Sequence, residues 1–144
     1  MSKQNYANHR KYVTGYHFIT FTIVLLLFIL SIYNFYLAVN GTGEMKNAVM
    51  FILISIIFIS MFLYSRIFAL KAQDRAIRAE ENFRHYLLTG KIFDSKITLP
   101  QILALRFASD EEFTELTKKA AAENLSSDEI KRSIKSWRAD NYRV

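Results

Sequence analysis

The sequence predicts an all-α membrane protein: a two-helix transmembrane hairpin, the second span continuing into a long juxtamembrane helix, then three short helices. Three observations carry this. Two blocks, Phe18 to Val39 and Ala48 to Ser65, hold no charged residue in a chain that is 22% charged overall. No glycine or proline interrupts Lys46 to Leu88. After Thr89-Gly90, one helix-start pattern recurs three times.

Residues 1–17 read as an N-terminal interfacial segment. Tyr12, Tyr16 and His17 are amphipathic side chains suited to the headgroup level, and with Arg66 and Lys71 beyond the second span they are the expected membrane-surface anchors. Transmembrane helix 1 is placed at 18–39 and transmembrane helix 2 at 48–65. At the helical rise these are about 33 Å and about 27 Å long, against a hydrocarbon core of about 30 Å. Two buried helices in a soluble globule would need more surrounding chain than 144 residues supply. A cleaved signal peptide fits poorly too, because the first block exceeds the usual apolar region and Ala38-Val39-Asn40 lacks a small-x-small cleavage pattern.

The short loop 40–47 contains Asn40-Gly41-Thr42-Gly43, turn chemistry that forces antiparallel neighbours. Within the first span Ser31, Asn34 and Ala38 fall on one helical face, a candidate helix-packing surface. The Asn34 amide is expected to seek a hydrogen bond near Ile52 to Ser55 or from another chain; the alternative reading is a polar group lining a path. Neither span contains Asp, Glu, Lys or Arg, which speaks against independent transport.

The juxtamembrane helix, 66–88, follows from the unbroken stretch of helix formers after Ala69. Gly90 suits a left-handed C-cap. Along this helix Ala69, Ala72, Ala76, Ala79, Phe83 and Tyr86 recur at three- and four-residue steps, a heptad-like seam and the candidate partner surface. Either a second protein or the chain's own C-terminal helices could occupy it. The latter are expected to pack on this helix through Ile77, Phe83 and Leu87.

In the C-terminal helical domain, 89–144, Ser126 with Glu129, Ser109 with Glu112 and Thr98 with Gln101 each form a capping-box pattern between apolar residues. Three helices are expected, with apolar faces Ile102, Leu103 and Phe107, then Phe113, Leu116, Ala120 and Ala121, then Ile130, Ile134 and Trp137. Trp137 is read as a core or interface anchor.

Net charge is +6, and its placement is informative. Residues 1–88 hold nine Lys/Arg against four Asp/Glu, whereas 89–144 hold ten against nine. Lys3, Arg10 and Lys11 precede the first span and Arg66, Lys71, Arg75 and Arg78 follow the second, while the loop has only Glu44 and Lys46. That is the positive-inside pattern of a hairpin with both termini cytoplasmic, and it makes nucleic acid the weaker explanation of the charge. The expected partners are the lipid bilayer and a protein partner or homo-oligomer.

No cysteine is present, which excludes disulfides and thiolate metal sites. His9, His17 and His85 lack the i, i+4 spacing of a helical metal pair, and Asp110, Glu111, Glu112 and Glu115 suit the first turns of a helix. No phosphate loop or nucleophile motif occurs. Hence no enzyme activity, cofactor, metal or small-molecule substrate is expected.

Several segments together resemble an uncharacterised family of small two-span bacterial membrane proteins with a cytoplasmic C-terminal helical domain. They are Gln4-Asn5-Tyr6 with Asn8-His9, Tyr16-His17, the run from Ala69 to Arg75, and the run from Ile134 to Asp140. The resemblance implies the bacterial inner membrane and brings no assigned activity, substrate or catalytic residue. The expected function is a non-enzymatic accessory subunit or scaffold presenting its helical domain to a protein partner. The alternative is a self-assembling small channel or permeability factor using the Ser31, Asn34 and Ala38 strip.

Overall fold

The computed structural model describes residues 4–9 and 12–140. Lys3, Arg10 and Lys11, which carry part of the charge asymmetry, lie outside the described residues. Among the described residues five α-helices follow one another: α1 (Phe21–Val39), α2 (Met45–Thr89), α3 (Leu99–Leu105), α4 (Asp110–Glu123) and α5 (Ser127–Ser133). Among the described residues there is no strand. The chain divides into two compact units, Tyr12–Ala69 and a second formed by Met1–Lys11 with Leu70–Val144.

The first unit is the hairpin. It opens with a π-helical turn, Gly15–Thr20, in which Thr20 Oγ1 donates to the Gly15 carbonyl five residues back at 3.0 Å. At the far end of α1 Gly41 takes φ 78°, and the Thr42 amide and hydroxyl both donate to the Leu37 carbonyl, at 3.0 and 2.8 Å. Small residues make the contact between the helices: Ala48 is fully buried and Ala38 nearly so. A Cβ on Gly43 would stand 3.5 Å from the Ala38 backbone. Deeper in, the Ser31 and Ser55 hydroxyls meet at 3.2 Å. Each also lies within hydrogen-bond reach of the carbonyl three residues back, at 2.7 and 2.8 Å; with one proton apiece, one hydroxyl donates to its carbonyl and the other to its own carbonyl or across the pair, so each has a partner among apolar neighbours.

Both long helices are long and apolar enough to cross a membrane. Of their most apolar 18-residue windows, only 6% and 11% is buried. The core helices of a soluble protein would be covered by other chain; these instead present Leu30, Met61 and their neighbours outward.

In the second unit α2 ends as expected, with Gly90 at φ 71° and its amide donating to Tyr86 O at 2.8 Å. α3 begins with the Thr98 box, the Thr98 amide donating to Gln101 Oε1 at 2.8 Å, and Pro100 sits in the first turn, where its missing N–H costs nothing. The other end of the Gln101 amide donates to Leu125 O at 2.9 Å, tying α3 to the α4–α5 connection. That connection turns at Asn124, φ 50°, a left-handed cap without glycine. The Ser126 box opens α5, with Glu129 accepting from the Ser126 amide at 2.7 Å. Phe107, Phe113, Leu105 and Ile130 are the largest side chains fully enclosed between these helices.

Two sequence expectations are corrected here. The Ser109–Glu112 box does not form: Glu112 turns instead to the other end of the domain and accepts from the amides of Lys135 and Ser136, at 3.1 and 2.9 Å. Trp137 is not on a helix. α5 stops at Ser133, Ile134 is extended, and Ala108 and Trp137 form an isolated antiparallel bridge. Its bonds run from Ser109 N to Ser136 O at 3.0 Å and from Arg138 N to Phe107 O at 2.7 Å.

Candidate functional site

The inner face of α2 within the second unit is polar, contrary to the expected contact through Ile77, Phe83 and Leu87. Ile77 is buried, but Phe83 and Leu87 are exposed, and Glu81 and Arg84 take the inward positions. Arg84 is the hub. Its guanidinium donates to Asp110 from Nε at 2.7 Å, to Glu81 from Nη1 at 3.0 Å and to Ala108 O from Nη2 at 2.7 Å, and it lies 4.2 Å from the Phe113 ring centroid. The planar fork can meet two carboxylates and a carbonyl at once while its face covers an aromatic ring. Beside it a charged cleft of about 350 Å³ holds Glu81, Arg106, Arg138 and Asp140. Arg106 pairs with Asp140 at 3.0 Å, so acids and bases there offset one another.

Across the domain, the segment before the first long helix folds onto the C-terminal helices. The Tyr6 hydroxyl donates to Asp128 Oδ1 at 2.6 Å, and the Asp140 amide donates to Gln4 Oε1 at 2.7 Å. Since a carbonyl can only accept, His9 Nδ1 donates to Tyr6 O at 2.6 Å, and Nε2 is then the acceptor facing the Lys131 ammonium at 3.4 Å. The His9 ring rests against Phe107 and Trp137, with centroids 5.8 and 5.9 Å away. The Tyr6 hydroxyl, and after it Arg132, hold the Asp128 carboxyl below its ordinary range.

His85 has a different setting. Its Nδ1–H donates to Lys91 O at 2.7 Å and its ring lies 4.6 Å from Phe93. His9 and His85 thus belong to separate ring clusters. Beside His85 runs a groove of about 520 Å³, with Thr89, Ile92, Thr117 and Lys118 among its walls.

The remaining predicted positions fall as follows. Ser31 and Ala38 lie inside the hairpin contact, while Asn34 is half-buried and its side-chain amide has no hydrogen-bond partner among the described residues; the Ser55 hydroxyl expected near it meets Ser31 instead. Tyr16 stacks on Phe62 at 4.4 Å, and its hydroxyl donates to the Phe62 carbonyl. Arg66 lies 5.9 Å over the Tyr16 ring, and His17 packs edge-on to Tyr12 at 5.5 Å. Tyr12 and Lys71 are exposed. On α2, Ala69 is half-buried and Ala72, Ala76 and Ala79 are exposed. Phe83 is 63%, Tyr86 52% and Leu87 67% exposed. Trp137 is half-buried against Phe107 at 5.1 Å.

A family model covers residues 1–144, from the π-helical entry and both long helices to the final extended segment. The chain belongs to DUF6526, a family of unknown function. No curated protein and no solved structure matches it. Membership in DUF6526 therefore brings no substrate or catalytic residue with it, and the functional argument rests on the surfaces just described.

Proposed function

We propose that the chain is a non-enzymatic integral membrane scaffold or accessory subunit that presents its helical domain to a protein partner from the cytoplasmic face of the bacterial inner membrane. The observation that carries the reading is the open apolar face of α2: Phe83, Tyr86 and Leu87 stand out in solvent although the same helix packs its opposite side on a folded domain. Large apolar side chains gathered on one face of a soluble unit mark an interaction surface.

The membrane assignment is supported by two long helices whose apolar side chains find no cover within the chain. The cytoplasmic assignment is supported by the basic flanks and the nearly neutral loop. Docking of Tyr6 on Asp128 and of Gln4 on Asp140 adds a second support for the topology, because it requires the segments flanking the hairpin to share a compartment.

Isolation of the tagged chain in mild detergent at native expression tests the proposal. A stoichiometric partner, another polypeptide or a second copy of the chain, is expected to co-purify. Migration of the chain as a monomer with no other polypeptide overturns the reading.

A further inference from the structure

We infer that the open face of α2 is occupied by a second copy of this chain, the two helices forming a parallel coiled coil through Ala72, Ala76, Ala79, Phe83 and Tyr86. The inference rests on the reading of this face as a docking surface and names its occupant.

Heptad positions can be assigned from the seam itself. With Ala76 and Phe83 at a, and Ala72, Ala79 and Tyr86 at d, these five core positions are exposed, while Ala69, the a position before them, is half-buried. The positions on the far side of the wheel are those the chain's own domain covers: Ile77 and Arg84 at b, and Glu81 at f, are all buried. Intramolecular packing therefore centres on the side opposite the seam and reaches its g flank at Asn82, whose Oδ1 accepts from Phe93 N at 3.2 Å. The C-terminal helices, docked through Arg84, leave the seam unoccupied.

The flanking charges select the occupant. In this register Arg75 takes position g and Glu80 position e, five residues on. Parallel coiled coils pair g of one helix with the following e of the other, so Arg75 of each copy meets Glu80 of its mate, twice by symmetry. Antiparallel helices pair g with g and e with e, which brings Arg75 to no Glu80. Within the chain neither residue has an ion pair among the described residues; Glu80 borders the cleft of Arg106 and Arg138 without pairing to either, whereas Glu81 and Arg84 are both engaged. Copies inserted alike in one membrane also run α2 in the same direction, as a parallel pair requires. Alanine at three successive core layers permits close approach, and the aromatic layers that follow enlarge the apolar contact.

The chain has no cysteine, so a single introduced thiol reports on one position. In native membranes under mild oxidation, Ala72→Cys and Ala79→Cys are each expected to give a disulfide-linked dimer of the chain. Arg78→Cys, exposed at position c, is expected to give none. In the Ala79→Cys background, Arg75→Glu or Glu80→Arg alone is expected to lower dimer yield at least threefold, and the two together to restore it. Equal membrane content and equal Trp137 emission establish that each variant folds.

Absence of a dimer at both d positions, equal cross-linking at Arg78→Cys, or charge reversal without mutual rescue overturns the inference. An adduct with a different polypeptide also overturns it, while leaving the scaffold reading intact. A cross-linked dimer that purifies without any other polypeptide supports the coiled coil and makes the second copy the partner at this face, whereas a monomer removes both readings.

Discussion

Arg84 joins three parts of the helical domain through one side chain, and its removal is correspondingly costly. Arg84→Met would leave Glu81 buried with Arg138 as its nearest cation, 3.9 Å away. Breaking such a pair by deleting one member costs about 3 to 5 kcal/mol. Denaturant unfolding followed by the emission of Trp137, the chain's single tryptophan, should show this loss. Arg84→Lys should fall in between, since an ammonium keeps the charge but not the fork. A midpoint unchanged in Arg84→Met would show that the hub contributes no stability. This residue was not legible in the sequence: arginine on a helix of mixed charge reads as solvent-facing, and only the positions of Asp110 and Ala108, more than 20 residues away, turn it inward. The spacing of the apolar repeat on the other side of the same helix is local and visible in the sequence, but the intramolecular docking expected there through Phe83 and Leu87 does not form.

At the scale of elements, the starts of α3 and α5 follow from two capping boxes confined to four residues each. The start of α4 escapes the same rule because Glu112 has competing partners in the extended segment, the amides of Lys135 and Ser136. Ile134 and Trp137 were read as one helical face for a related reason: a three-residue step fits a helix, and nothing local announces that the Ala108 backbone supplies a better ladder. Glu112 is therefore predicted to hold the end of the domain rather than to cap its own helix. Glu112→Ala should cost about 1.5 kcal/mol, the low end for hydrogen bonds to a charged acceptor at a partly exposed site. It should also shift Trp137 emission, since the tryptophan follows the released amides directly. A loss of helix content at α4, measured by circular dichroism, with Trp137 emission unchanged would instead restore the capping role.

For the whole molecule, the joining of its two flanking segments predicts a dependence on acidity. The Asp128 carboxyl is held below its ordinary range chiefly by the Tyr6 hydroxyl. A group lowered in the folded state contributes stability above its unfolded value and loses it as pH falls through the lowered one. The contribution of the Tyr6–Asp128 bond to docking of the N-terminal segment should thus be lost in acid, below about pH 4. Trp137 emission, which senses the neighbouring His9 ring, should follow this change. Tyr6→Phe should flatten the acid limb, and an identical titration in wild type and variant would refute the role of this bond.

The Gln4–Asp140 bond spans 136 positions. A ribosome therefore exposes the first strand of this clasp long before its counterpart has been made, and the knot can be tied only after synthesis has passed Asp140. On the proposed two-span topology, a copy with only one helix in lipid would hold the two halves of the clasp on opposite sides. Insertion and completion of the helical domain would thereby be coupled, and a misinserted copy would carry an undocked N-terminal segment.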